Sequence, residues 1–85
     1  MRFMATLTFD QTRQAEITER IPAEQARVHD LFAEGALDAM HLADARDRVW
    51  LVLQADSDDA ARRVLASLPL YPYAAVDLAL LATMG

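Results

Sequence analysis

The chain has 85 residues and a mass of 9.5 kDa, so residues 1–85 read as a single domain, since compact domains run about 50–250 residues. Eight basic against thirteen acidic residues leave a net charge of −5 and a pI near 4.7, a balance that argues against nucleic-acid binding, which needs a clustered basic face. The lack of cysteine excludes a disulfide scaffold, a thiolate metal site and a cysteine nucleophile, while 54% hydrophobic residues and a mean hydropathy of +0.07 describe a globular chain rather than a disordered one.

The first strand signal is Arg2 to Phe9, where Phe3, Ala5, Leu7 and Phe9 alternate with Arg2, Met4, Thr6 and Thr8 at the period of a strand with two unlike faces. Asp10 to Arg13 reads as a polar connection, and a short helical turn over Gln14 to Arg20 is limited by Pro22. Proline disfavours helix for the residue before it and suits the first helical position. The main helix is therefore predicted from Pro22 to Glu34, with Gly35 as its left-handed cap. On its wheel Ile21, Val28, Leu31 and Phe32 form one apolar stripe. Glu24 projects from within that stripe, Arg20 and Arg27 border one edge, and His29 borders the other.

Leu37 to Ala43 follows as a second strand and Asp44 to Asp47 as a polar hairpin connection. Val49 to Ala55 is apolar throughout, which predicts a central strand covered on both faces. Ser57 offers an N-cap to a second helix, with Asp58 and Asp59 in the first turn where the helix dipole favours negative charge. Ala60, Ala61, Val64, Leu65 and Leu68 mark its buried face, and Arg62 and Arg63 its wet side. Pro69 ends this helix, Leu70 to Tyr73 is a rigid connection holding two rings, and Ala74 to Ala82 is the last strand.

The order β-α-β-β-α-β consists of two split βαβ halves joined by a hairpin. Right-handed crossovers place both helices on one face of a four-stranded antiparallel sheet, a ferredoxin-like α+β sandwich. The helix-free face also carries apolar residues and calls for cover. A second copy packed on it as a two-fold homodimer is the simplest solution. No apolar run approaches the ~20 residues of a membrane span, and no basic start leads into an apolar stretch, so a cytoplasmic domain with no membrane partner is expected.

The segment Leu68-Pro69-Leu70-Tyr71-Pro72-Tyr73, following an acid-capped helix and preceding a last apolar strand, resembles the muconolactone isomerase family, in which a helix ends in a Leu-Pro-Leu-aromatic-Pro-Tyr segment. The similarity runs from Gly35 to Tyr73, and Glu24 falls where that family has a glutamate in its first long helix. The resemblance implies a dimeric α+β barrel, built of homodimers that can form larger rings. It also implies a cofactor-free isomerase that moves a double bond in an unsaturated lactone by shifting a proton. The second strand departs from the family pattern, with Asp38, Ala39 and Ala43 where basic and aromatic side chains are usual, and this leaves the lactone or related metabolite unspecified.

A proton shift beside a carbonyl needs a base and a group that steadies the developing enolate. Glu24 is the first candidate base, because a carboxylate on an apolar helix face is desolvated and made more basic; the alternative is an ion pair with Arg20 or Arg27. His41, flanked by the small Ala39 and Ala43, is the second, able to titrate near neutrality at a cavity wall or to sit hydrogen-bonded in a dimer interface. Arg27 is a candidate for a substrate carboxylate or for a surface salt bridge. Tyr71 and Tyr73 are candidate donors to a lactone carbonyl or packing anchors, and Met40 and Trp50 candidate cavity walls or core. The cavity is expected between sheet and helix, lined by Met40, Trp50 and Tyr73. No metal-ligand spacing, phosphate loop or hydrolase triad is present, and no cofactor is called for. The competing readings are a non-catalytic dimeric small-molecule-binding or accessory protein and, more distantly, a cofactor-free oxygenase of the same fold.

Overall fold

The computed structural model describes residues 1–82. Strand β1 (Arg2–Phe9) leads through a 3-10 turn (Gln11–Arg13) into helix α1 (Gln14–Ala33), followed by the hairpin strands β2 (Leu37–Leu42) and β3 (Arg48–Gln54), helix α2 (Asp58–Ala66), a second 3-10 turn (Tyr71–Tyr73) and strand β4 (Ala74–Leu80). The four strands form one sheet in the order β2-β3-β1-β4, every neighbouring pair antiparallel. This is the split βαβ arrangement expected from the pattern of elements.

Alternation in the strands decides which side is buried. Phe3, Ala5 and Leu7 stand opposite Leu53, Leu51 and Val49 in the β1–β3 ladder, and all six are buried. On this same face, helix residues Val28, Leu31, Ala61 and Leu65 complete the core. Both helices therefore cover one side of the sheet. The other side carries Met4, Thr6, Trp50 and Val52, half-buried at most, so β3 is central but covered on one face only in the isolated chain.

Two terminations behave as expected. Ser57 caps α2, its side chain accepting from the Ala60 amide at 3.1 Å. Gly35 ends α1 with φ +81°. Its amide donates to the Phe32 carbonyl at 3.2 Å and the Ala36 amide to the Leu31 carbonyl at 3.0 Å, the paired bonds of a Schellman motif.

The start of α1 differs from expectation. The helix begins at Gln14, eight residues before Pro22, and Pro22 lies inside it. Asp10 supplies the start signal: its carboxylate accepts from the Thr12 amide at 2.9 Å and launches the 3-10 turn that feeds the helix. An interior proline costs about 3 kcal/mol, because Thr18 loses its amide partner. Burial offsets this cost: Ile17 is 7% exposed, and sealing such a side chain contributes about 1.5–3 kcal/mol. Pro22 itself is exposed, on the side where water can reach the freed carbonyl. The apolar stripe is also narrower than the wheel suggests, since Val28 and Leu31 are buried while Ile21 and Phe32 are largely exposed.

Among the described residues, no helix is long and apolar enough to cross a membrane.

Candidate active site

The N-terminal half of α1 bridges the sheet without filling the space beneath it. Between Ile17, Ile21 and Val28 on the helix and Leu7, Val49 and Leu51 on the sheet lies a cavity of about 360 Å³, within the usual range for small-molecule sites. Its mouth is bordered by Ile21, Met40 and Leu42, each partly open to solvent. Most of its wall is apolar. The polar side chains that line it are Gln14, Thr18, Glu24 and Gln25 from α1, and Arg46 from the β2–β3 bend.

Glu24 is the ionisable carboxyl of this wall. It sits between Ile21 and Val28 on the helix face turned toward the sheet, and burial there pushes its carboxyl above the ordinary carboxylate range, partly opposed by the Leu70 amide. That amide donates to Oε1 of Glu24 at 3.0 Å. Among the described residues Glu24 forms no ion pair, so a structural pairing with Arg20 or Arg27 is not what holds it. A desolvated carboxyl with one hydrogen bond and an apolar hollow beside it is suited to accept a proton from carbon.

The other candidates are dispersed. Met40 stands opposite Leu51 on the helix-covered face and lines the cavity with Glu24. His41 stands opposite Trp50, and Trp50 opposite Thr6, which places His41 and Trp50 on the helix-free face. Of the expected lining, Met40, Trp50 and Tyr73 with His41 at the wall, Met40 alone borders this hollow, and the sheet separates it from His41 and Trp50. Alternation assigns residues to two faces, but it does not say which face a helix covers.

Arg27 is directed away from the hollow. Its Nε donates to Oγ of Ser67 at 3.0 Å, and its guanidinium lies 3.8 Å from the Glu34 carboxylate. It clasps the end of α1 to the end of α2. Tyr71 is half-buried against the core. Tyr73 lies beneath the guanidinium groups of Arg13 and Arg20, 5.2 and 5.3 Å from its ring centre, on the wall of a shallower adjoining hollow. His29 is exposed on the surface of α1.

Sequence reasoning missed Leu70, Arg46 and the α1 residues before Pro22. The role of Leu70 belongs to its main-chain amide and has no side-chain signature. Ile17 and Thr18 fell in the short helical turn, Gln14 to Arg20, read as separate from the main helix. An i, i+4 spacing from Ile17 to Ile21 and on through Val28 carried the helical signal across the proline.

The whole-chain comparisons agree with this architecture. The family model of muconolactone delta-isomerase matches residues 1–84. A crystal structure of muconolactone isomerase superposes with a TM-score of 0.80 at 22% identity, covering 98% of this chain and 90% of that one. The 5-chloro-2-hydroxyhydroquinone dehydrochlorinase of Burkholderia phenoliruptrix AC1100, in complex with 2,5-dihydroxybenzoquinone, superposes with a TM-score of 0.79 at 15% identity, over 96% of this chain and 94% of that one. At these identities the structural matches speak for the fold. No curated protein matches the chain by sequence.

Proposed function

The chain belongs to the muconolactone delta-isomerase family, and from that membership we propose that it is a cofactor-independent isomerase or cyclase that shifts a proton, and with it a double bond, in an unsaturated lactone or related oxygenated metabolite. One observation supports this reading above the others: Glu24, a carboxyl made more basic by burial, faces an apolar cavity of about 360 Å³. The dehydrochlorinase that shares the fold also acts on a small oxygenated ring, as its name states.

In this reading the Glu24 carboxylate removes a proton from a carbon activated by the lactone carbonyl. The electron pair of that C–H bond moves into the ring and gives an enolate. The same carboxyl, now protonated, returns the proton to a carbon further along the conjugated system, so the double bond moves with no net gain or loss of electrons. Thr18 and Gln25, on the same helix wall, are the neutral groups available to hydrogen-bond the oxygen as it gains charge. The apolar wall keeps water from the enolate and keeps the base desolvated. Met40 shapes the mouth.

His41 and Trp50 have a different part. Together with Met4 and Val52 they form the helix-free face, which we read as the contact surface of a homodimer acting in the cytoplasm. Tyr73 braces the first turns of α1 through Arg13 and Arg20, and Arg27 braces its end. These residues act on the position of the helix that carries Glu24.

The test is the Glu24→Gln variant assayed on butenolides bearing an acidic C–H. Turnover should fall by roughly 10²–10⁴-fold, the range for removing a general base, while the melting temperature is not lowered. A folded E24Q protein with wild-type turnover would overturn the assignment. A second reading is favoured by the fact that, among the described residues, one carboxyl is the sole acid–base group of the cavity wall: a dimeric binding or accessory protein. It would bind the same ligands saturably with no product detected by mass spectrometry.

A further inference from the structure

The cavity runs across the sheet rather than along it. Met40 and Leu42 of β2 stand at its mouth, Val49 and Leu51 of β3 form its floor, and Leu7 and Phe9 of β1 lie furthest from the opening. Among the described residues, no member of β4, the next strand, lines it. The hollow therefore ends at β1.

Beyond that end lies the shallower second hollow, about 430 Å³, walled by Asp10, Arg13, Pro72, Tyr73 and Ala74 along with Phe9. Among the described residues, Phe9 is the one common to both walls. By alternation it shares the helix-covered face with Leu7, and it packs half-buried against the core. Its cross-strand partner is Ala74, whose methyl group is too short to close the gap in its place. The ring thus divides an apolar hollow from a wet one that holds charged side chains. The main chain around it is pinned independently of the ring. The Phe9 amide donates to the Asp47 carbonyl at 2.9 Å, and the Asp10 amide to the Tyr73 carbonyl at 2.8 Å. A change of side chain at this position leaves the strand end anchored.

We infer that Phe9 is a specificity-determining residue, its ring forming the back wall of the cavity and setting the length of ligand that fits between that wall and the mouth. The inference rests on the reading above that the cavity is the substrate site. A packed side chain yields little to an overlong ligand, whereas each methylene that finds apolar wall adds about fourfold in affinity. A fixed end therefore turns ligand length into selectivity. The selected substrates are compact, a single small oxygen heterocycle with a short substituent rather than one bearing a long alkyl chain or a second ring.

The experiment measures, by calorimetric titration, the affinities of γ-butyrolactones bearing straight alkyl chains of one to seven carbons for the wild type, Phe9→Leu and Phe9→Ala. These lactones have no double bond to shift, so they are bound without being consumed. In the wild type, affinity should rise by about fourfold per methylene and then stop rising within the series. In F9A the rise should continue for several further carbons, with the break in F9L falling between the two. A wild-type affinity that climbs without a break overturns the assignment. So does a break at the same chain length in all three proteins, the result given by a chain that leaves through the mouth. Circular dichroism checks that each variant is folded, and F9L, the milder truncation, carries the test where F9A does not fold. Binding of no member of the series also overturns the assignment, while the turnover assay of the Glu24→Gln protein decides the proton-transfer reading separately.

Discussion

The main-chain amide of Leu70 donates to Oε1 of Glu24 across 46 positions of sequence, at 3.0 Å. This bond ties the middle of α1 to the segment after α2 and fixes the candidate base by a group that every residue except proline possesses. Leu70→Ala should therefore reduce stability, by about 2–5 kcal/mol as for a buried leucine, while leaving the pH dependence of turnover in place. Leu70→Pro removes the donor itself. Because that bond favours the charged carboxyl, its loss should move the acid limb of the rate profile to higher pH, read from kcat/KM against pH in whatever fraction folds.

The raised pKa of Glu24 has a second consequence, for stability. A carboxyl whose folded-state pKa lies above its unfolded value binds its proton more tightly when folded. Its favourable contribution is complete below the unfolded value and is lost as pH rises through the folded one. Melting temperatures of the wild type and of Glu24→Gln should thus diverge in the variant's favour between about pH 4, near the ordinary carboxylate value, and neutrality. Over the same interval the activity of the wild type should rise, because the base must be ionised to act. Parallel melting curves across that interval would show that burial does not perturb this carboxyl.

The helix-free face gives a prediction about assembly. Trp50 lies on it, opposite Thr6 and His41, and is half-buried in the isolated chain. On the homodimer reading, Trp50→Lys should shift sedimentation from a dimer toward a monomer and leave far-UV circular dichroism unchanged. A wild type that sediments as a monomer at all accessible concentrations would remove the role proposed for this face.

Ser57→Ala tests the local logic of α2. The Ser57 side chain satisfies the Ala60 amide, and its removal should cost about 0.5–2 kcal/mol by chemical denaturation. Because α2 does not line the cavity, KM should not change.

Much of the fold was legible because the relevant signals are local. Alternation in Arg2–Phe9, the serine before Asp58 and the glycine after Glu34 each report on the few residues around them, and the structure has the expected strand, helix start and helix end at those places. The family resemblance carried by Leu68 to Tyr73 held over nearly the whole chain. Pro22 misled because its effect on its neighbours is local and unfavourable, whereas the burial of Ile17 that offsets it depends on a sheet assembled from distant residues. The candidate site was legible only in part for the same reason. Glu24 and Met40 could be assigned to faces, but the face of β2 that meets α1 is set by pairing with β3, and this pairing sends His41 to the far side.

The turn at Gly35 is exposed and three residues long between helix and strand, the kind of connection in which extra residues are commonly accepted. Here the hydrogen bonds argue otherwise. Ala36 gives its amide to α1 through Leu31 and its carbonyl to β3 through the Gln54 amide at 2.9 Å, so this one residue is a rigid joint between the two layers. Lengthening the chain there would slide β2 along β3 and, because side chains alternate, exchange Met40 for His41 at the entrance to the hollow.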